Sequence, residues 1–318
     1  MTQPIDSFVT RRRVLGTGLA GLAATPAVAS SSTGIEPTER SLRLAFLTDT
    51  HVQPEKQGEA GFAACLAHVQ GLDDPPDLIV FGGDNVMNVD GDGGRERAPV
   101  QLACWNRVVS RDLSTPHRTV VGNHDILALD PVGGRRWACD AYGLDRSHYA
   151  WDQAGWRFVV LDSTSPNSLR GGEGGYKGLL DDEQFDWLDR TLRDTPKGTP
   201  VCVCSHIPIL SACVFFDGEN EKTGDWSVPG AWMHLDARRL KDCFHRHGNV
   251  KVCLSGHLHL AEVLDYLGVR YACGGAVSGG WWGGPYHEFE PGYLLVDLRP
   301  DGGSEIAFET FGWVPRED

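Results

Sequence analysis

Five times along this chain a short run rich in Val, Ile, Leu and Phe ends abruptly in a cluster of Asp, Asn and His, and this rhythm restricts the fold more than any other feature. Leu42 to Thr48 runs into Asp49-Thr50-His51, Asp77 to Phe81 into Gly82-Gly83-Asp84-Asn85, and Arg118 to Val121 into Gly122-Asn123-His124-Asp125. Pro200 to Cys204 then leads into Ser205-His206, and Val250 to Leu254 into Ser255-Gly256-His257-Leu258-His259. Short apolar runs of this kind suit strands buried on both faces. Further strands are expected at Trp156 to Asp162, Val269 to Cys273, Tyr293 to Leu298 and Glu305 to Phe311. Helical patterns at Glu59 to Gly71, Val100 to Arg111, Asp181 to Asp194 and Asp236 to His247 fall between the strands. Such alternation argues for a layered α/β domain. In open α/β sheets ligands gather beyond the carboxyl ends of the strands, and all five polar clusters lie at such ends.

The N-terminus reads differently. Arg11-Arg12-Arg13-Val14-Leu15 precedes an apolar run to Ala24, and Ala27-Val28-Ala29 follows before Ser30. This is the order of a signal peptide: basic start, short apolar core, small-residue cleavage site. The apolar run is too short for a spanning helix, which needs about 20 residues, so no stable membrane anchor is expected. Paired arginines point to the twin-arginine route, which exports folded proteins. The expected organisation is a signal at 1–29, a polar linker at 30–40 and one domain at 41–318, with the product periplasmic or extracellular. The glycine-rich stretches Gly91 to Gly94 and Gly171 to Gly175 are expected to be surface loops.

Charge narrows the partners. Asp and Glu exceed Lys and Arg to give a formal net charge of -14, which argues against a nucleic-acid polymer or an anionic membrane, both of which want a basic face. A small anionic substrate is compatible with that balance if metal ions supply positive charge locally. The nine cysteines include no zinc-type CxxC pair, and Cys202, Cys204 and Cys253 sit in strand-like runs where a thiol acts as a small hydrophobe. No particular disulfide is expected, and oligomeric state is left open.

A single His after a strand is usually structural, but five successive strand ends offering Asp-x-His, Gly-Asp-Asn, Gly-Asn-His-Asp, His and Gly-His-x-His have the order of a dinuclear metal site. The set resembles the calcineurin-like metallophosphoesterase superfamily, in the general branch that includes small cyclic-nucleotide phosphodiesterases. Purple acid phosphatases place Tyr three residues after the bridging Asp, where this chain has Met87. The resemblance implies an α/β fold, a layered β-sandwich flanked by helices with the metal site at the C-terminal ends of the strands. It implies that Asp49, His51 and His259 hold one divalent ion, that Asn123, His206 and His257 hold the other, and that Asp84 bridges them. His124 would face the substrate as the catalytic residue.

The chemistry agrees with that assignment. Two ions about 3.5 to 4 Å apart need a shared oxygen donor, which a carboxylate supplies. Imidazole and carboxylate suit manganese, iron, zinc or cobalt, while the Asn123 carbonyl adds a ligand without adding charge. Gly82, Gly83, Gly122 and Gly256 allow tight turns near the ions. The implied function is metal-dependent hydrolysis of phosphoric esters: a bridging hydroxide attacks phosphorus of a small phosphorylated substrate, and His124 protonates the leaving oxygen. A diester is favoured slightly over a monoester. The alternatives are a pyrophosphohydrolase of a nucleotide or lipid diphosphate and a non-catalytic binding protein on the same fold.

Other residues carry two readings. Asp125 either orients His124 or, more often for such a residue, braces its turn; Asp162 is expected to tie a loop together. His234, His245 and His247 are expected at the surface. The run Gly279-Gly280-Trp281-Trp282-Gly283-Gly284 is an aromatic wall or core packing, and Ser211 to His234, with Phe215, Phe216, Trp226 and Trp232, is placed to overhang the cleft.

Overall fold

The computed structural model describes residues 39–89, 94–126, 133–166, 175–219 and 221–315. The leader, nearly all of the linker and most of both glycine-rich stretches lie outside the described residues. The strands are β1 (Leu42–Leu47), β2 (Leu78–Phe81), β3 (His117–Thr119), β4 (Tyr149–Gln153), β5 (Trp156–Leu161), β6 (Thr164–Pro166) and β7 (Tyr176–Gly178). They continue with β8 (Val201–Ser205), β9 (Val250–Ser255), β10 (Ala261–Tyr266), β11 (Val269–Gly274), β12 (Gly292–Leu298) and β13 (Ser304–Thr310). The helices are α1 (Gly58–Gln70), α2 (Gly94–Asp112), α3 (Gly133–Tyr142), α4 (Asp182–Asp194) and α5 (Ala237–His247).

Two mixed sheets face each other, one in the order β13-β12-β1-β2-β3 and the other β10-β11-β9-β8-β5-β4. Alternation along each strand explains the layering. In β1, Leu42, Leu44 and Phe46 point between the sheets, where they meet Trp156, Phe158, Cys202, Cys204, Val252 and Leu254 of the other sheet. The intervening Ala45 and Leu47 point outward onto Phe62, Leu66, Trp105 and Val108 of α1 and α2. On the opposite side Val201, Val203 and Val250 pack beneath Phe185, Leu188, Leu240 and Phe244 of α4 and α5. The result is the expected sandwich with helices on both outer faces. All nine cysteines are free and buried, as apolar filling requires.

Every expected strand and helix forms, with shifted ends. The helix expected at Val100 to Arg111 is longer at its start: α2 begins at Gly94 and carries Pro99 within it. Periodicity missed α3, the short pair β6 and β7, and the edges of the larger sheet. β4 and β10 pair antiparallel with β5 and β11 at the two margins of the larger sheet, and their half-exposed faces carry no continuous apolar run. Their signal is in the turns: Ala154-Gly155 and Leu267-Gly268 both have positive φ, 50° and 79°, then 51° and 78°. Two such residues in a row make the tight hairpin whose twist matches that of the strands.

Parallel neighbours carry the polar clusters to one end. β1, β2 and β3 run side by side in one sheet, and β5, β8 and β9 do so in the other. Their C-terminal ends open into the same space between the sheets.

Candidate metal centre

Loops after β1, β2, β3, β8 and β9 bring the sequence candidates together. Three overlapping groups have donor atoms within 4.8 Å of one another: Asp49, His51 and His259; His51, Asp84 and His124; and Asp84, His206 and His257. Asp84 joins the last two. Its Oδ2 lies 3.2 Å from His206 Nε2, 3.8 Å from His51 Nε2 and 3.9 Å from His124 Nε2. Its Oδ1 is turned away and accepts the His124 backbone N–H at 2.8 Å. Asn123 Oδ1 reaches 3.2 Å from His206 Nε2, and Asp49 Oδ1 lies 3.4 Å from His259 Nε2 and 3.8 Å from His51 Nε2.

The backbone is strained where it must deliver these groups. Asp49, His51, Asp84, His257 and His259 all have positive φ, between 42° and 72°, a region that non-glycine residues seldom occupy and that costs about 1–3 kcal/mol each when strained. Glycines supply the closeness. A Cβ on Gly122 would sit 2.2 Å from Asp84 Oδ1, and one on Gly256 would sit 2.3 Å from Asp49 Oδ2.

The outer contacts fix which atom of each side chain faces the centre. His206 Nδ1 donates to the Gly82 carbonyl at 3.0 Å, His259 Nδ1 to that of Gly279 at 2.6 Å and His124 Nδ1 to that of Met87 at 2.7 Å. A longer 3.4 Å contact from His51 Nδ1 ends on the same Met87 oxygen. Locking Nδ1 as the donor leaves the Nε2 lone pair directed inward. Asp49 Oδ2 accepts from Thr48 Oγ1 at 2.6 Å and from the His257 N–H at 2.8 Å. By contrast, Asp49 Oδ1 and His257 Nδ1 are buried with no hydrogen-bond partner. Buried polar atoms are nearly always satisfied, and two orphans aimed into one ring of donors fit a cation.

The electrostatics agree. Burial, helped by neighbouring imidazoles, depresses His51 and His257 to about 3, so both imidazoles are neutral, the form in which a ring nitrogen can accept a cation. Burial also opposes charge on His206, but the Asp84 carboxylate outweighs it and lifts the group to about 9. Burial acts against ionisation of Asp49 as well, and there His259 and His206 win, holding it at about 2. Protons shared this way between carboxylates and imidazoles occupy the place of a cation and leave when one binds.

The residues with two readings separate cleanly. Asp125 does not touch the His124 ring: it accepts from Asn85 N, Asn85 Nδ2, Gly122 N and the Tyr142 hydroxyl at 2.7–3.0 Å, bracing the turn. Asp162 binds Arg135 Nε at 2.6 Å and the Thr164 N–H at 3.2 Å, tying its loop as expected. Trp282 is core, packed against Gly61 with its indole N–H donated to the His51 carbonyl at 3.0 Å. Trp281 is wall, 4.7 Å from the His259 ring and 5.4 Å from Tyr286.

One expectation is corrected. His234 is not at the surface but buried, with Nδ1 2.8 Å from Asp236 Oδ1 and Nε2 3.1 Å from the Ser205 hydroxyl; the Ser205 bond pins the residue before His206. His245 is exposed, whereas His247 is partly covered and bound to Asp189. Sequence reasoning also missed Tyr176, Asp217 and Tyr286, which with His51, Asp84, His124, Trp232, His257, Leu258, His259 and Trp281 line a cleft of about 260 Å³ over the centre. Nothing in their spacing marks them, although Asp217 and Trp232 fall in the segment expected to overhang.

Comparison with known proteins places this geometry. The family described as calcineurin-like phosphoesterase matches residues 42–261. A probable glycerophosphodiester phosphodiesterase of Arcobacter nitrofigilis is 23% identical over 77% of this chain and 74% of its own length. A 3',5'-cyclic adenosine monophosphate phosphodiesterase of Escherichia coli is 23% identical over 73% of this chain and 74% of its own. Among solved structures, a dimetal phosphatase from Danio rerio superposes with a TM-score of 0.56 at 14% identity, over 86% of this chain and all of that one, a likeness of fold. The strand-end donors, the paired sheets and the matched span together make this chain a member of the calcineurin-like phosphoesterases, hydrolases that cleave phosphoric esters with metal ions.

Proposed function

We propose that this enzyme is a dinuclear phosphodiesterase of small molecules in which Asp49, His51 and His259 would hold one divalent ion, Asn123, His206 and His257 the other, and Asp84 would serve both. The observation that carries this reading is the position of Asp84: one buried carboxylate oxygen lies 3.2–3.9 Å from imidazole nitrogens delivered by three different loops. Two ions held there would supply Lewis acidity and a water acidified enough to act as nucleophile near neutral pH. The protein's own groups do the rest. The loops hold the donors in a water-poor pocket whose electrostatic interactions are strengthened by burial. His124 keeps its Nδ1 proton on the Met87 carbonyl, while Nε2 faces the cleft on a partly exposed ring. When protonated, that Nε2 donates to a phosphoryl oxygen or to the departing alkoxide.

Both relatives described above are named for diester hydrolysis, which supports the diester over the monoester. The test is metal analysis of the purified protein together with hydrolysis of bis(nitrophenyl) phosphate and of nitrophenyl phosphate. A metal-dependent preference for the diester is expected. Strong preference for the monoester overturns the diester reading, and undiminished activity after complete metal removal overturns the centre itself.

Export through the twin-arginine route belongs to the same proposal, supported by Arg12-Arg13 before the apolar run and Ala27-Val28-Ala29. Arg12→Lys with Arg13→Lys should retain the protein in the cytoplasm, and undiminished export of that variant would contradict the route.

A further inference from the structure

We propose that the Tyr176 hydroxyl is a further catalytic group, donating a hydrogen bond to a non-bridging phosphoryl oxygen of the bound diester; this rests on the phosphodiesterase reading above. Tyr176 lines the cleft over the centre together with Asp84, His124 and His257. Its ring lies 6.0 Å from the His257 ring at 75°, an edge-on contact. His257 in turn lies 5.1 Å from the His206 ring, whereas His124 stands 4.9 Å from the ring of His51. The two cleft-facing donors therefore border Asp84 from different sides, Tyr176 beside His257 and His124 beside His51.

The hydroxyl is uncommitted. Of the two tyrosines that line the cleft, Tyr286 donates its hydroxyl proton to Asp217 Oδ1 at 2.8 Å, whereas the hydroxyl of the half-buried Tyr176 has no hydrogen-bond partner among the described residues. Polar groups in a folded interior are nearly always satisfied, so a phenol left open to a reaction cleft is available to a ligand. It ordinarily ionises at about 10 and carries its proton at neutral pH. No Lys or Arg is among the described lining residues, so charge gathering on the phosphoryl oxygens meets no side-chain cation there except a protonated imidazole. The donor is also fixed in place beforehand, as stabilisation of a transition state requires. Tyr176 opens β7 and pairs with Pro166 of β6. At the other end of the strand the Gly178 N–H donates to the Gly230 carbonyl at 2.8 Å, and its carbonyl accepts the Leu235 N–H at 2.7 Å. A Cβ on Gly178 would lie 2.8 Å from the side chain of Ile207, so the strand packs directly on the residue after His206.

The experiment is Tyr176→Phe in the metal-loaded enzyme, which removes one oxygen and keeps the ring against His257. Because that oxygen bonds nothing in the protein, calorimetric Tm and metal content should match the parent. On bis(nitrophenyl) phosphate kcat should fall about tenfold or more with KM held within about twofold, the pattern of a donor used chiefly in the transition state. A second readout needs no turnover: calorimetric titration with orthovanadate, whose five-coordinate adducts imitate the transition state, should show binding about tenfold weaker in the variant. A kcat within about threefold of the parent, or undiminished vanadate affinity, overturns the proposal. So does a loss of Tm or metal in Tyr176→Phe, which would show the hydroxyl to be bonded within the protein. A ring that merely steadies His257 predicts the opposite pattern, full activity in Tyr176→Phe and lost metal in Tyr176→Leu. If the parent leaves bis(nitrophenyl) phosphate intact, the phosphodiesterase reading fails and the vanadate titration alone decides on the hydroxyl; if parent and Tyr176→Phe cleave it equally, only the role of Tyr176 fails.

Discussion

Gly122 offers a sharp test of how the centre is assembled, because its role is steric and not conformational. Its φ of -101° and ψ of 179° are open to any residue, so Gly122→Ala introduces no backbone strain. The added Cβ would instead lie 2.3 Å from the Asp84 backbone nitrogen and 2.2 Å from Oδ1, where ordinary contact begins at 3.4 Å. A backbone atom cannot rotate away, so the loops after β2 and β3 must part by about 1 Å. Overpacking of this kind costs about 1–3 kcal/mol, which for a domain of this size lowers Tm by roughly 4 °C. Misplacing Asp84 by about 1 Å should cost about a hundredfold in kcat/KM. Gly248→Ala is the control: at the C-cap of α5, with φ 75° and nothing within 4 Å of the added Cβ, it costs about 1–2 kcal/mol of strain. The assay is kcat/KM on bis(nitrophenyl) phosphate beside calorimetric Tm for both variants. Comparable Tm losses with activity lost only in Gly122→Ala are expected; a folded Gly122→Ala enzyme within about threefold of the parent would refute the reasoning.

Four further outcomes follow from the same geometry. His124→Ala should slow alkyl diesters more than nitrophenyl ones, since only poor leaving groups need the proton; equal losses would show that the ring does not act as the acid. Asp189 binds His247 and Arg246, and these hydrogen bonds, the His247 one foremost, hold it at about 2, so its contribution is complete above the ordinary value near 3.9 and fades as pH falls toward 2. Asp189→Asn should therefore lose about 1 kcal/mol at neutral pH with the gap to the parent closing in acid, and a gap constant with pH would contradict the ion pair. With all nine cysteines free and buried, a thiol reagent should modify almost none in the native protein and nine after denaturation, and reductant should leave Tm unchanged; fewer than nine on denaturation would reveal a bridge. Chelation should abolish activity and lower Tm together, as expected when ligands bind only the folded state, with both restored by a divalent ion.

The architecture was readable because buried parallel strands are nearly pure Val, Ile, Leu and Phe, and because each ended in residues with no reason to follow a core strand except chemistry. What escaped has physical causes. β4 and β10 are edge strands with one wet face, so periodicity is blurred, although Ala154-Gly155 and Leu267-Gly268 mark their hairpins. α3 opens with two glycines, the poorest interior helix formers after proline, and is held through Arg135 to Asp162, a contact across the chain. His234 looked like a surface residue because its burial depends on Ser205 and Asp236 together. The seven metal candidates were legible as a set, whereas Tyr176, Asp217 and Tyr286 come to the cleft only through tertiary packing. Trp281 and Trp282 show the limit plainly: adjacent, identical and both at positive φ, one fills the core and the other walls the cleft.

The shared carboxylate is tested most directly by electron paramagnetic resonance of the protein loaded with two equivalents of manganese(II). Ions bridged by Asp84 should give an exchange-coupled spectrum that collapses to an isolated-ion signal in Asp84→Ala. A six-line spectrum of uncoupled ions in the unaltered protein would contradict the dinuclear centre.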